Sequence, residues 1–242
     1  MKIVLIGYGK MGKEIGTVAR ERGHDIHLII DIGNRHDLTP KKLAGANLAI
    51  EFTGPQAAYD NIIACFDAAL PVVSGSTGWL DRMDELKEHC HRTDQAFFYA
   101  SNYSLGVNIL FHLNRVLARI MKRYPQYDIT LEETHHTQKM DAPSGTAITL
   151  AEDILREIDP RKKQWVNRPA STREELAILS HRRDSIPGIH TIRYESEMDT
   201  LELTHSAKNR RGFALGAVLA AEFLQGRKGC YGMNDLLGLE ES

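Results

Sequence analysis

The densest chemistry in the chain lies in one run, Glu132-Glu133-Thr134-His135-His136-Thr137-Gln138-Lys139-Met140-Asp141-Ala142-Pro143-Ser144-Gly145-Thr146-Ala147. A histidine exchanges a proton near neutral pH, and a lysine donates one or holds an anion. Adjacent histidines in an extended chain point to opposite sides, so His135 and His136 have different jobs. Pro143-Ser144-Gly145-Thr146 then starts a helix, whose free N–H groups can receive a carboxylate. Proton transfer beside a bound acid is the chemistry on offer. Three other readings compete with it. The histidines are structural, or they hold zinc together with the carboxylates, or Ser144 is a nucleophile. Helical H-x-x-x-H spacing is absent. Ser144 also lacks the G-x-S-x-G elbow and reads as a helix cap.

A second constellation opens the chain. Gly7-Tyr8-Gly9-Lys10-Met11-Gly12 satisfies G-x-G-x-x-G between an apolar run and a helical stretch. There the first glycine permits a tight turn and the second lets a pyrophosphate approach the backbone. The third lets helix and strand pack closely. The motif asks for an acidic residue about 20 positions on, to bind an adenosine ribose. Asp31 stands 19 residues past Gly12, at the end of the second apolar run. The competing reading is a strand–helix turn whose glycines serve packing alone. Two further loops, Ser74-Gly75-Ser76-Thr77-Gly78 and Ala100-Ser101-Asn102-Tyr103-Ser104, follow later apolar runs. Ligands of open α/β sheets bind at such strand ends.

These loops need a scaffold. Lys2–Ile6, Asp25–Ile30, Leu48–Phe52, Leu70–Ser74 and Gln95–Tyr99 read as strands of a parallel sheet buried on both faces. Helices near Met11–Arg22, Gln56–Ala68 and Asp81–His91 separate them, which makes this part a doubly wound, Rossmann-type α/β domain. The pattern changes near Ser101. Helices at Val107–Lys122 and Thr146–Ile158 alternate with strands at Asp128–Glu133, Ile189–Glu197 and Thr200–His205, as in an α+β domain. Asp159–Arg173 is polar and reads as a surface excursion. Helices at Phe213–Leu224 and Met233–Leu237 close the chain. The expected division is a dinucleotide-binding domain over 1–103, to which 210–242 returns, and a substrate-binding and oligomerisation domain over 104–209.

Composition narrows the partners. Thirty basic and thirty-two acidic residues leave a net charge of −2, too even a balance for wrapping nucleic acid or coating an anionic membrane. No apolar run approaches the roughly 18–20 residues that span a bilayer, and the start does not read as a signal peptide. Cys65, Cys90 and Cys230 are odd in number, widely spaced and without CxxC pairing. That argues against a disulfide scaffold or a cysteine zinc site, and for the cytoplasm.

The stretch His135–Ala147 (H-H-x-x-K-x-D-A-P-S-G-T-A) resembles the signature of the 4-hydroxy-tetrahydrodipicolinate reductase family. The resemblance extends over the opening glycine loop, Glu51-Phe52-Thr53, Gly75–Gly78, Ala100–Asn108, Leu201–His205, Phe213–Val218 and Gly232–Leu239. It implies reduction of a cyclic, unsaturated dicarboxylate by NADH or NADPH, with the 4-hydroxyl lost as water, in lysine and diaminopimelate biosynthesis. It further implies a cytoplasmic homotetramer. His135 would be the proton donor and acceptor, Lys139 the second proton donor and His136 a substrate contact. Gly145 and Thr146 would cradle a substrate carboxylate. Gly7, Tyr8, Gly9, Lys10, Met11, Gly12, Asp31, Gly75, Ser76, Thr77, Ala100, Ser101, Asn102 and Tyr103 would face the cofactor, and no metal is implied. Relatives often carry an arginine after the acidic residue; Ile32 stands there, so NADH is expected to be preferred or comparable. An inactive nucleotide-binding sensor would have lost a proton donor or the cradle, and a metal-dependent hydrolase would need a ligand triad that the spacing does not assemble.

Overall fold

The computed structural model describes residues 1–158 and 161–239. The chain begins with β1 (Lys2–Ile6), α1 (Lys10–Glu21) and β2 (Asp25–Ile30). A 3-10 turn and the short α2 (Pro40–Leu43) lead to β3 (Leu48–Glu51), α3 (Ala58–Asp67), β4 (Val72–Ser74), α4 (Met83–Arg92) and β5 (Ala96–Tyr99). Next come α5 (Leu105–Met121), β6 (Asp128–His135), α6 (Gly145–Ile158), β7 (Gln164–Val166), β8 (Glu175–Arg182), β9 (Gly188–Glu195) and β10 (Thr200–Ala207). The chain closes with α7 (Arg211–Leu224), β11 (Gly229–Tyr231) and α8 (Met233–Leu237).

Two compact units result. Unit 1 holds Met1–Leu105 and the segment from Arg210 onward; unit 2 holds Gly106–Asn209. In unit 1, six parallel strands lie in the order β11-β5-β4-β3-β1-β2. Alternation along each strand sorts its side chains. Ile3, Leu5, Ile50, Val73 and Phe98 meet α1 and α7 on one face. Val4, Ile6, Ala49, Val72 and Phe97 meet α3 and α4 on the other. Strands covered on both faces are apolar throughout, which is why these short runs carry no polar alternation. The α/β fold read from the sequence is present.

Unit 2 is built differently. Its five strands lie in the order β10-β9-β6-β8-β7, with β6 antiparallel to β9 and parallel to β8. Ile129, Leu131, Leu176, Ile178, Ile192 and Tyr194 face α5 and α6. The helix α6 answers with Ala147, Leu150, Ala151, Ile154 and Ile158 at helical spacing. On the other face Arg193 donates to Glu202 (2.6 Å) and Glu132 (3.1 Å), so the sheet presents polar side chains there.

Three strands escape the periodicity reading. The surface excursion expected over Asp159–Arg173 contains β7, while Asp159 and Pro160 lie outside the described residues, as do residues 240–242 of the returning segment. Both β7 and β11 have three residues, too few to display a period, and each pairs with one neighbour only. The third, β8, is eight residues long and buried over Glu175–Ile178; the apolar run Leu176–Leu179 is the signal in the sequence that marks it.

Helix α7 approaches the loop after β5 closely enough to exclude a side chain. A Cβ added at Gly216 would lie 1.7 Å from the Tyr103 carbonyl oxygen. Gly216→Ala is therefore expected to destabilise unit 1 by about 3 kcal/mol, the upper end of overpacking costs. Urea unfolding checks it; an unchanged midpoint would mean that α7 does not pack this tightly on Tyr103.

Candidate active site

In unit 1 the glycine loop sits at the end of β1 with its three glycines in distinct surroundings. Gly7 has φ +91°, and a Cβ there would lie 2.1 Å from the Phe52 carbonyl oxygen. A Cβ at Gly12 would lie 2.0 Å from the Gly7 carbonyl oxygen. At Gly9, exposed at the start of α1, a Cβ would meet nothing within 4 Å. Crowded, open, crowded is the arrangement a pyrophosphate-binding turn requires: two glycines close the turn and the middle one leaves backbone accessible. The turn fits a dinucleotide.

The neighbouring loops are organised by one buried carboxylate, Glu51, at the end of β3. It accepts from Ser74 Oγ (2.7 Å), Ser76 Oγ (3.0 Å) and the Thr53 N–H (3.0 Å), and also from Thr53 Oγ1. Gly75 runs so close to Phe52 that a Cβ would lie 2.3 Å from its ring. Ser76 and Tyr103 are buried, with Tyr103 donating its hydroxyl to the Ser74 carbonyl (2.7 Å). Both side chains are thus held inside the unit. Tyr8, Met11 and Asn102 are partly buried, while Lys10, Asp31, Thr77 and Ser101 are exposed and Ala100 is buried.

In unit 2 strand β6 buries every second residue: Ile129, Leu131, Glu133 and His135. The same alternation that puts leucine in the core puts a carboxylate and an imidazole at its end. Register supplies their neighbours. His190 on β9 lies opposite Glu133, and Arg182 on β8 lies opposite His135. Glu133 Oε2 is 3.2 Å from His135 Nδ1 and 3.9 Å from His190 Nε2. Arg182 donates through both terminal nitrogens to Glu133 Oε1 (3.3 and 3.2 Å). The Ser144 N–H lies 3.1 and 3.2 Å from the two Glu133 oxygens. Burial opposes charge on Glu133, but its contacts with His135, Ser144 and Ser180 outweigh this and hold the carboxyl well below the usual carboxylate range. Burial, and then the neighbouring His135, push His190 down to about 4.

The loop after β6 carries Lys139, whose ammonium donates to both Asp141 oxygens (2.9 and 2.8 Å). Arg182 ties this loop down by donating to the carbonyls of Asp141 (2.6 Å) and Lys139 (3.4 Å). Ser144 caps α6, with Oγ accepting from the Ala147 N–H (3.2 Å) and sharing a hydrogen bond with His190 Nε2 (3.1 Å). Gly145 is exposed, and among the described residues no acceptor takes the N–H of Gly145 or Thr146. This helix start is open to an anion. His136 lies just past β6 and is half-buried.

Comparison with known proteins is decisive at this point. A family model described as the N-terminus of dihydrodipicolinate reductase matches residues 1–103, and one for its C-terminus matches 106–237. A 4-hydroxy-tetrahydrodipicolinate reductase of Christiangramia forsetii is 48% identical over 98% of each chain. One of Methanoregula boonei is 33% identical over 100% of this chain and 99% of its own. The chain belongs to the dihydrodipicolinate reductase family. It is an NAD(P)-dependent oxidoreductase. The fold of a dipicolinate-bound dihydrodipicolinate reductase from Paenisporosarcina sp. TG-14 matches it with a TM-score of 0.77 at 21% identity, covering 97% of this chain and 99% of that one.

Sequence reasoning about the reductase missed three residues of this site and one arrangement. Glu133, Arg182 and His190 were not assigned roles, although His190 shares the alternating face of β9 with Ile192 and Tyr194. The unassembled ligand triad is also corrected: Glu133, His135 and His190 bring ligand atoms within 4.8 Å of one another. Their chemistry does not favour a cation, since Glu133 already accepts from Arg182 and the Ser144 N–H.

The low affinity of His190 for a proton links this site to stability. The unfolded chain takes that proton below about 6.5, its ordinary value, and the folded chain only near 4. Stability from a neutral His190 is therefore complete above pH 6.5 and lost as the pH falls toward 4. Urea midpoints measured from pH 7 to pH 4.5 are expected to fall less steeply in His190→Gln than in the parent. Parallel slopes would contradict the burial argument.

Proposed function

We propose that this chain reduces 4-hydroxy-tetrahydrodipicolinate to tetrahydrodipicolinate, with loss of water and with hydride from NADH or NADPH, in lysine and diaminopimelate biosynthesis. One observation carries the reading: a single carboxylate, Glu133, holds both the imidazole of His135 (3.2 Å) and the start of α6 at Ser144 (3.1 Å). A proton-handling group and an anion cradle are thereby fixed at one strand end. The nicotinamide dinucleotide supplies hydride when bound, and Gly7, Gly9 and Gly12 would receive its pyrophosphate. The N–H groups of Gly145 and Thr146 would hold one carboxylate of the substrate. Hydride addition builds negative charge on the substrate, which His135 and Lys139 would meet with protons. His136 would contact the substrate.

The test is oxidation of NADH or NADPH dependent on the freshly generated cyclic substrate, with and without a chelator. Lys139→Ala is expected to lower kcat by roughly 100-fold, as loss of a general acid does, while leaving the unfolding midpoint intact. Near-normal turnover in that variant would remove Lys139 from the mechanism, and loss of activity to the chelator would favour a metal-dependent reading.

The preferred cofactor is expected to be NADH. Asp31 is exposed at the end of β2, where its carboxylate suits ribose hydroxyls and opposes a 2′-phosphate. Ile32 beside it is 96% exposed and offers no charge. Lys10, Arg35 and His36 are the cations near enough in sequence to offset that repulsion in part, and Arg35 is drawn elsewhere, donating to Asn61 (3.2 Å) and lying 3.9 Å from Asp60. A preference of about tenfold in kcat/KM, or roughly 1.4 kcal/mol, follows. Ile32→Arg should narrow it; a parent enzyme that favours NADPH would sink the argument. The family resemblance also supports a cytoplasmic homotetramer assembled through unit 2, to be read from its mass in solution.

A further inference from the structure

Cys90 and Cys230 stand 140 positions apart in the sequence, yet unit 1 brings them together. Cys90 occupies the last turn of α4, and Cys230 is the middle residue of β11, opposite Phe97 of β5. One carbonyl links the two elements. Gln95 O accepts from Cys90 Sγ (3.4 Å) and from the N–H of Gly229 (2.8 Å), the residue before Cys230. Cys230 packs on the apolar cluster that buries Cys90.

The pair is unequal. Cys90 is wholly buried and Cys230 half-buried. The neighbouring Cys90 thiol and the Lys87 ammonium hold Cys230 below its ordinary value, while the Cys230 thiol and burial push Cys90 up. A partly exposed thiol that loses its proton more readily than usual, backed by a second thiol, is the arrangement of an attacking and a resolving cysteine. Cys65 is different: burial pushes it up to about 12.

We propose that Cys90 and Cys230 are a redox-active dithiol that closes into an intramolecular disulfide when the protein meets a peroxide. The Cys230 thiolate attacks one peroxide oxygen; an S–O bond forms, the O–O bond breaks, and hydroxide leaves to become water. Cys90 then gives up its proton and attacks the sulfenic sulfur of Cys230. The S–S bond forms as the S–O bond breaks, and a second water leaves. Two thiols lose two electrons and the peroxide gains them. The product ties the three-residue edge strand β11 to α4 and closes a long loop, which constrains the unfolded chain.

Treating the full chain with hydrogen peroxide should remove two hydrogen atoms from the intact mass and join the Cys90 and Cys230 peptides. Dithiothreitol should reverse both changes, and the oxidised protein should melt several degrees higher than the reduced one. Cys230→Ser, at a half-buried position, should abolish the crosslink and the shift in Tm. Cys90→Ser should stop at a sulfenic acid on Cys230 that dimedone traps, and Cys65→Ser should crosslink as the parent does. Stepwise addition of oxygen without a crosslink, or disulfides only between chains, would overturn the proposal.

Discussion

A carboxylate with no exposed surface is the constraint on which unit 2 depends. Glu133 is charged at the end of β6, where burial makes an unpaired charge cost several kcal/mol. The chain must therefore bring donors to it, and those donors are the site. Arg182 donates from β8 and the Ser144 N–H from the start of α6, while His135, two residues further along β6, sets its imidazole 3.2 Å away. Each fixes a different element: a neighbouring strand, a helix and the imbedded end of the strand itself. Arg182 then extends the order outward by holding the Asp141 and Lys139 carbonyls. Satisfying one charge thus sets the path of the loop that carries the chemistry.

Unit 1 uses the same device with uncharged partners. Glu51 is the last residue of β3, as Glu133 lies two residues from the end of β6, and its donors are the hydroxyls of Ser74 and Ser76 with Thr53. They fix the loops after β3 and β4; β3 is the strand beside β1, whose end carries the glycine turn, and β4 lies beyond it. In both units a buried acid at a strand's carboxyl end converts a set of loops into a fixed surface.

What was legible in the sequence follows from what is local. The glycine turn is a matter of six adjacent residues, and the strands of unit 1 show as apolar runs because both faces are covered. His135, Lys139 and Gly145 lie within eleven residues of one another, so their chemistry reads directly. Arg182 and His190 reach Glu133 only through strand register across β8 and β9, a pairing that no spacing rule encodes. The family resemblance implies cofactor positions residue by residue, which does not tell a side chain turned inward from one turned out. Ser76 and Tyr103 are the instances: their hydroxyls bond to Glu51 and to the Ser74 carbonyl.

The two ion pairs of the site differ in what they can release. Glu133 and Arg182 are joined where the carboxylate is wholly buried, and breaking such a pair costs about 3–5 kcal/mol. Lys139 and Asp141 are joined in the open, with Asp141 60% exposed, where a pair contributes only about 0–1 kcal/mol. An incoming dicarboxylate brings acceptors that can replace Asp141 on the Lys139 ammonium at small cost. It cannot replace Glu133 on Arg182 without stranding a buried charge. The inner pair is therefore scaffold, and the outer pair is the one that an incoming anion can exchange.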